Sequence, residues 1–244
     1  MSRVFLIRIG IDTTNGGFVS PMSDLDSNDY KIIPFPKIRN KSDYYSQISN
    51  YLPKDKIIIK GTAITSNKYY QLEFHQDPAF LYNSECFTYG DIKNYNILKN
   101  FNKGDFILFY SGFFRCPKDL HNSDYTFNKI KELQKNKKQY YIFAYMKLKD
   151  SPKLRKDWDT YDEIKCNFHY SNPSETNQEF VLIGEKAGYI NPPFRMDEGT
   201  DPKNNHIYIF NNEMHQFLIN SKRKSINRAY AECKEEILKK LNLN

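Results

Sequence analysis

Six short runs rich in β-branched and aromatic residues punctuate this chain, at residues 4–9, 56–60, 106–110, 140–149, 180–184 and 206–210. Such side chains fit a pleated, half-buried surface, so each run predicts a strand. The intervals between them leave room for helices. Ser42 can cap one whose apolar Tyr44, Tyr45, Ile48, Tyr51 and Leu52 share a face, and Asp91 can cap another presenting Ile92, Tyr95, Leu98 and Phe101. Over residues 224–241, Ile226, Tyr230, Cys233, Ile237 and Leu241 recur at three- and four-residue steps, which predicts a C-terminal amphipathic helix with Cys233 in the core. The pattern is that of an α/β protein of the α+β type. It predicts a mixed sheet with flanking helices, and long loops of functional character at residues 111–123 and 191–205.

A chain of 244 residues without a low-complexity linker suits one domain over residues 1–244. Its 19 tyrosines and 18 phenylalanines supply the apolar surface that a polar composition would otherwise lack, which argues against disorder. No apolar run approaches the ~20 residues of a spanning helix, and the first strand follows Met1 without a signal-peptide core, so a soluble, cytoplasmic protein without a membrane partner is expected. Cys86, Cys116, Cys166 and Cys233 are scattered without any CxxC. Neither a zinc ribbon nor a disulfide framework fits that spacing, and reduced thiols are expected.

Charge is concentrated. Residues 129–156 hold ten Lys or Arg against Glu132 and Asp150, a surplus of eight in a chain whose formal charge is +7, so the remainder is about neutral. With Tyr140, Tyr141, Tyr145 and Trp158 nearby, this region suits a polyanion, because lysines neutralise phosphates and aromatic faces stack on bases. Lys135, Lys137, Lys138, Lys147, Lys149 and Arg155 are its candidate nucleic-acid contacts; a solvated lysine-rich face is the plainer alternative.

Well-known constellations are missing. There is no Walker loop, GxGxxG, HExxH, HxE…PCxxC or GxSxG, which argues against zincins, zinc deaminases and α/β-hydrolases, and no metal ligand or cofactor is assigned. Polar residues at strand ends and in loops remain: Asp12 and Asn15, His75 with Gln76 and Asp77, Tyr89 and Asp91, Asp105, and Cys166 with His169. His75 and Asp77 stand two apart and share a side if the segment is extended, an arrangement suited to general acid–base work. Asp77-Pro78 can instead be a turn, Asp105 a strand-entry turn residue, and Cys166 with His169 a packing thiol and a surface histidine rather than a nucleophile and base.

Three stretches carry a resemblance. "GIDTTNGGFVSP", "HQDPAF" and "KGDFILFYSGFF", the last followed by "YYIFAYMKL", resemble in order and spacing the third family of nucleotide-modification-associated domains of phages and mobile elements. Gly10, Asp12, Thr13, Gly16, Gly17, Ser20 and Pro21 carry the most specific motif, and Asp77-Pro78 and Gly104-Asp105 match alongside it. Where the family pattern leads one to expect a basic residue beside the first glycine, this chain has Ile9, with Arg8 one place earlier. The matched motifs span about residues 4–148, and residues 149–244 form the C-terminal part of the same fold.

The resemblance implies a nucleobase- or nucleotide-modifying enzyme, a transferase whose reaction the residues do not name, with nucleic acid or a nucleotide as partner. In this reading His75, Asp77 and Asp12 are the catalytic candidates. Arg8, Asn15, Gly16, Gly17, Ser20, Asp105, Tyr110 and His169 are the substrate-binding candidates. The alternative is a non-catalytic reader, because the paired strands of "KGDFILFYSGFF…YYIFAYMKLK" also resemble those of PUA- and EVE-type barrels that cage modified bases. Oligomeric state is left open.

Overall fold

The computed structural model describes the chain outside residues 1, 11–14, 24–25, 35, 42–50, 70, 92–98, 117–124, 136–137, 172–178, 221–224, 227–229 and 244, and outside the side chains of 15–16, 36–41, 73–74, 91 and 205–206. In chain order the first strands are β1 (Val4–Arg8), β2 (Asn15–Gly16), β3 (Ser20–Ser23), β4 (Pro36–Lys41), β5 (Lys56–Ile59), β6 (Thr62–Thr65), β7 (Leu72–Phe74) and β8 (Thr88–Asp91). Then follow β9 (Phe106–Cys116), β10 (Lys138–Leu148), β11 (Lys153–Leu154), β12 (Phe180–Arg195), β13 (Asp197–Asp201), β14 (Asn204–Phe210) and β15 (Tyr230–Cys233). All six predicted strands are present.

The main sheet runs β11-β12-β10-β9-β1-β15, with β3 beside β9 and β8 beside β12. It is mixed, since β1 and β3 run parallel to β9 while the other pairs are antiparallel. Both faces of its centre are buried, and residues alternate between two cores. Val4, Leu6, Phe106, Leu108 and Tyr110 face one, and Phe5, Ile7, Ile107, Phe109 and Phe113 the other. The sheet is open, so β9 and β10 pair as the reader analogy expects but belong to no barrel among the described residues.

The glycine segment has a plain topological role. β1 lies along residues 106–110 of β9, β3 lies along residues 113–116 of the same strand, and the segment between them leaves that edge and returns to it. On the excursion β2 pairs with β5, starting a small sheet β2-β5-β6.

Several expectations need correction. Residues 224–241 do not form one helix: Tyr230–Cys233 is a strand antiparallel to β1, and among the described residues of the span only Glu236–Lys240 is helical. The three- and four-residue spacing concealed a period of two, with Ala231 and Cys233 buried between the more exposed Tyr230 and Glu232. The open edge of β1 demands a partner, and this segment supplies it. Cys233 is in the core as expected.

Of the expected loops, residues 111–116 are strand, with 117–123 outside the described residues, and 191–205 is largely strand. β9 runs on to Cys116, and β12 runs through Pro192 and Pro193 to Arg195 before the β13–β14 hairpin. Those prolines lie where β12 loses register with β10, between the pairs Ala144–Tyr189 and Ile142–Phe194, so no ladder hydrogen bond is asked of them. Asp91 ends β8, opposite Phe180. The rest of that predicted helix, and most of the one capped by Ser42, fall outside the described residues.

Candidate functional site

One patch of the sheet organises the site. β8 pairs with the start of β12 in the register Thr88–Ile183, Tyr89–Leu182, Gly90–Val181 and Asp91–Phe180. Alternation sends Tyr89, Leu182 and Phe180 into the main core, and Val181 and Ile183 to the opposite face, where Trp158 and Ile164 cover them. The cover is a run of short helical turns, Arg155–Thr160, Asp162–Ile164 and Phe168–Ser171. A disulfide between Cys86 and Cys166 fastens the entry of β8 to this cover. The expectation of reduced thiols is therefore corrected for this pair, and Cys166 is no free nucleophile; spacing in the sequence could not show that the two residues meet across 80 positions. Cys116 and Cys233 are free and buried.

The cover brings Asn167 and His169 onto Thr88 and Gly90. Asn167 Nδ2 donates to Thr88 Oγ1 at 2.9 Å, and its Oδ1 accepts from the His169 amide at 2.9 Å. The imidazole lies against Gly90, where a Cβ would stand 2.4 Å from His169 Cδ2. Only glycine leaves room for the ring.

His75 and Asp77 enter from the segment after β7, where the Asp77 amide donates to the His75 carbonyl at 2.9 Å. The segment turns rather than extends, and the two side chains meet through a third. His75 Nε2 lies 3.1 Å from His169 Nε2, and Asp77 Oδ2 lies 3.4 Å from the same nitrogen. His169 Nδ1 faces Glu179 Oε1 at 2.5 Å. Asp77 is held in turn by the Gly90 amide, which donates to Oδ2 at 2.8 Å, and by Asn167 Nδ2, 3.4 Å from Oδ1.

Burial is steep across the cluster. The Asp77 and Glu179 side chains have no exposed surface and His169 keeps 6%, while His75 is half-buried against Phe168. Burial alone would lower the His169 pKa, but its hydrogen bonds to Asp77 and Glu179 and their negative charges outweigh this and hold it up at about 9. The nitrogens and oxygen of His75, Asp77 and His169 lie within 4.8 Å of one another. Such an arrangement can pass a proton between the rings or chelate a cation.

The sequence-derived candidates therefore separate. His75, Asp77 and His169 are gathered, with His169 buried rather than at the surface. The others lie on β1 to β3, on β9 and in adjoining turns. Arg8 ends β1 opposite Tyr110, which is buried edge-on to Tyr140. Ser20 is buried, its Oγ accepting from the Ile33 amide at 3.0 Å. Gly17 has φ +85° and abuts the Phe127 ring. Asp105 accepts from the amides of Arg3 and Asn102, both at 2.9 Å, as a turn residue does. Asn15 and Gly16 form β2; Asp12 and the Asn15 side chain lie outside what is described.

The basic run is distributed over a helix, a central strand and a turn. Lys147 pairs with Glu185 at 3.1 Å and Lys149 with Glu163 at 2.6 Å. Lys138 sits over the rings of Tyr140 and Tyr208. Lys135 follows the Phe127–Gln134 helix, Arg155 opens a helical turn, and Lys137 is outside the described residues.

Glu179, Asn167, Thr88 and Gly90 are members that sequence reasoning passed over. Their signals were slight: an ionisable residue at the mouth of a strand, and a glycine between Tyr89 and Asp91, which had both drawn attention.

Fold and cluster together define a mixed α/β protein with two histidines and two carboxylates converging on one face of its sheet. A model of the nucleotide modification associated domain 3 family matches residues 3–236, nearly the whole chain, and the chain belongs to that family. The match takes in the whole cluster as well as the glycine segment. Comparison with curated proteins gives no match. The family's description connects the chain with nucleotide modification. No helix among the described residues is long and apolar enough to cross a membrane.

Proposed function

We propose that the protein is an enzyme that modifies a nucleobase or nucleotide, and that its reactive centre is the cluster of His75, Asp77, His169 and Glu179. The observation that carries this reading is the convergence of four ionisable side chains from three separate segments, two of them fully buried carboxylates turned on one histidine. Burying such groups costs more than an apolar replacement, so a fold without use for them gains little by keeping them. The half-buried His75 is the member nearest to solvent and the one that faces a substrate.

A groove of about 300 Å³, none of whose lining residues belongs to the cluster, is the candidate seat for a base. Tyr30, Lys31, Tyr82 and Tyr189 line it, and Leu81 and Tyr82 stand at the far end of the short Ala79–Leu81 turn that follows Asp77 and Pro78. Tyrosine faces can stack on a base and the lysine can meet a phosphate. The same groove favours a second reading, a non-catalytic reader of modified bases.

The two readings part on one experiment. DNA, RNA and the nucleotide pool of cells expressing the wild type or Asp77→Asn are digested and their nucleosides compared by mass spectrometry. The enzyme reading predicts a nucleoside present with the wild type and lost with the variant. Identical profiles, with binding of a base-containing ligand retained by both proteins, would favour the reader.

A further inference from the structure

We propose that His75, Asp77 and His169 bind one divalent first-row transition metal through Nε2, Oδ2 and Nε2, and that Glu179 orients His169 for it. The inference stands on the geometry of the cluster and holds whether or not the substrate is a nucleotide.

The separations carry the argument. Ligand atoms sharing a metal at bonds of about 2.0–2.1 Å lie roughly 3.0–3.4 Å from each other in tetrahedral or octahedral geometry. His169 Nε2 is 3.1 Å from His75 Nε2 and 3.4 Å from Asp77 Oδ2, both inside that range. One ligand atom from each of the three residues lies within 4.8 Å of the others, so that seating the ion asks at most for a small closing movement of the half-buried His75 ring. A proton on His169 Nε2 can be shared with only one of these neighbours at a time. A metal satisfies all three donors together.

The surroundings match what metal-ligating histidines require. A histidine that binds through one nitrogen usually donates from the other to a carboxylate, which fixes the ring and raises its basicity. Glu179 occupies that place at His169 Nδ1. The Gly90 amide and Asn167 hold the Asp77 carboxylate, and the disulfide of Cys86 and Cys166 ties the strand beneath the site to the turns above it. Three protein ligands leave coordination positions for substrate or water on the half-buried side of His75, as in catalytic rather than structural sites.

Donor chemistry selects the ion. Two imidazoles and one carboxylate suit Fe²⁺, Co²⁺ or Zn²⁺, whereas Mg²⁺ and Ca²⁺ prefer all-oxygen sites.

The test needs no substrate. The purified full chain is stripped with a chelator and titrated with Co²⁺, Zn²⁺ or Mg²⁺, following cobalt absorption, bound metal per chain and melting temperature. One Co²⁺ or Zn²⁺ per chain is expected, with a rise in melting temperature and no response to Mg²⁺. His75→Gln changes a half-buried residue, so its metal-free melting temperature should stay near that of the wild type while Co²⁺ affinity falls by about 100-fold or more. Glu179→Gln should weaken binding by about 10- to 100-fold, the usual effect of losing a carboxylate behind a ligating histidine. Wild type that takes up no more Co²⁺ than His75→Gln, or that responds equally to Mg²⁺, would overturn the site. Unchanged affinity in Glu179→Gln would overturn the role given to Glu179.

Discussion

Two glycines, Gly17 and Gly90, each lie against a ring where a Cβ would intrude, and they do different work. Gly17, in the glycine-rich segment after β1, abuts Phe127, whose ring belongs to the core around Phe18, Ile57 and Ile130. Gly90, in the middle of β8, abuts His169 at the centre of the charged cluster. The first lets the chain leave the edge of β9 and return to it. The second lets an imidazole reach two buried carboxylates. On the proposed function, the glycine-rich segment serves the fold, while one glycine inside a strand makes the clearing for the reactive cluster.

The largest expected effect lies at Gly90. Gly90→Ala pushes the His169 ring from its place, and a displacement of about 1 Å in a reacting group can cost about 100-fold in rate. Turnover should fall by about that factor, and a Gly90→Ala/His169→Ala double variant should melt no lower than His169→Ala alone, since the obstructing ring is gone. If Gly90→Ala turned over normally, the ring would have room the geometry denies it.

At Gly17 the loss should be in stability. Alanine there combines a positive φ, worth about 1–2 kcal/mol, with overpacking against Phe127, and should destabilise by about 2–4 kcal/mol in urea unfolding. Phe127→Leu in the same chain should recover part of that. Turnover per folded molecule should be unchanged.

These glycines also mark how far the sequence could be read. The strands were legible because β-branched and aromatic residues cluster where β1, β9, β10 and β12 run. His75, Asp77 and His169 were legible as single residues of suitable chemistry. Their union was not, because it depends on the register of β8 with β12, which puts Gly90 opposite Val181, and on turns that deliver Asn167 and His169 to that face. The C-terminal strand was misread because the edge of β1, a partner distant in sequence, decides its conformation.

A third expected effect compares buried carboxylates. Asp77 and Glu179 have a histidine between them, whereas Asp197 faces Arg195, 3.6 Å away and partly exposed. Burial raises the Asp197 pKa above its ordinary 3.8, against the hydrogen bond from the Tyr140 amide and the charge of Arg195. A carboxyl with a raised folded pKa contributes stability below its unfolded pKa and loses it as pH rises through the folded value. Asp197→Asn should remove that part of the pH dependence, measured by thermal melts across the acid range. An unchanged profile would assign the titration to another group.

The smallest effect is expected in the basic run. Lys147 and Lys149 already face Glu185 and Glu163 at partly exposed positions. Alanine at either should shift stability by less than about 1 kcal/mol. The double variant should leave the salt dependence of any nucleic-acid binding almost unchanged, where a lost phosphate contact would reduce the log–log slope by about 0.7–0.9. A drop of that size would show that these lysines leave their partners for phosphate.

The most direct measurement compares the two glycines in cells. Nucleosides from strains producing equal amounts of folded wild type, Gly17→Ala or Gly90→Ala are quantified by mass spectrometry. A modified nucleoside made by the wild type and by Gly17→Ala, but lost with Gly90→Ala, is the result that places the chemistry at His75, Asp77 and His169. Loss with Gly17→Ala and retention with Gly90→Ala would contradict it and move the reactive centre to the glycine segment.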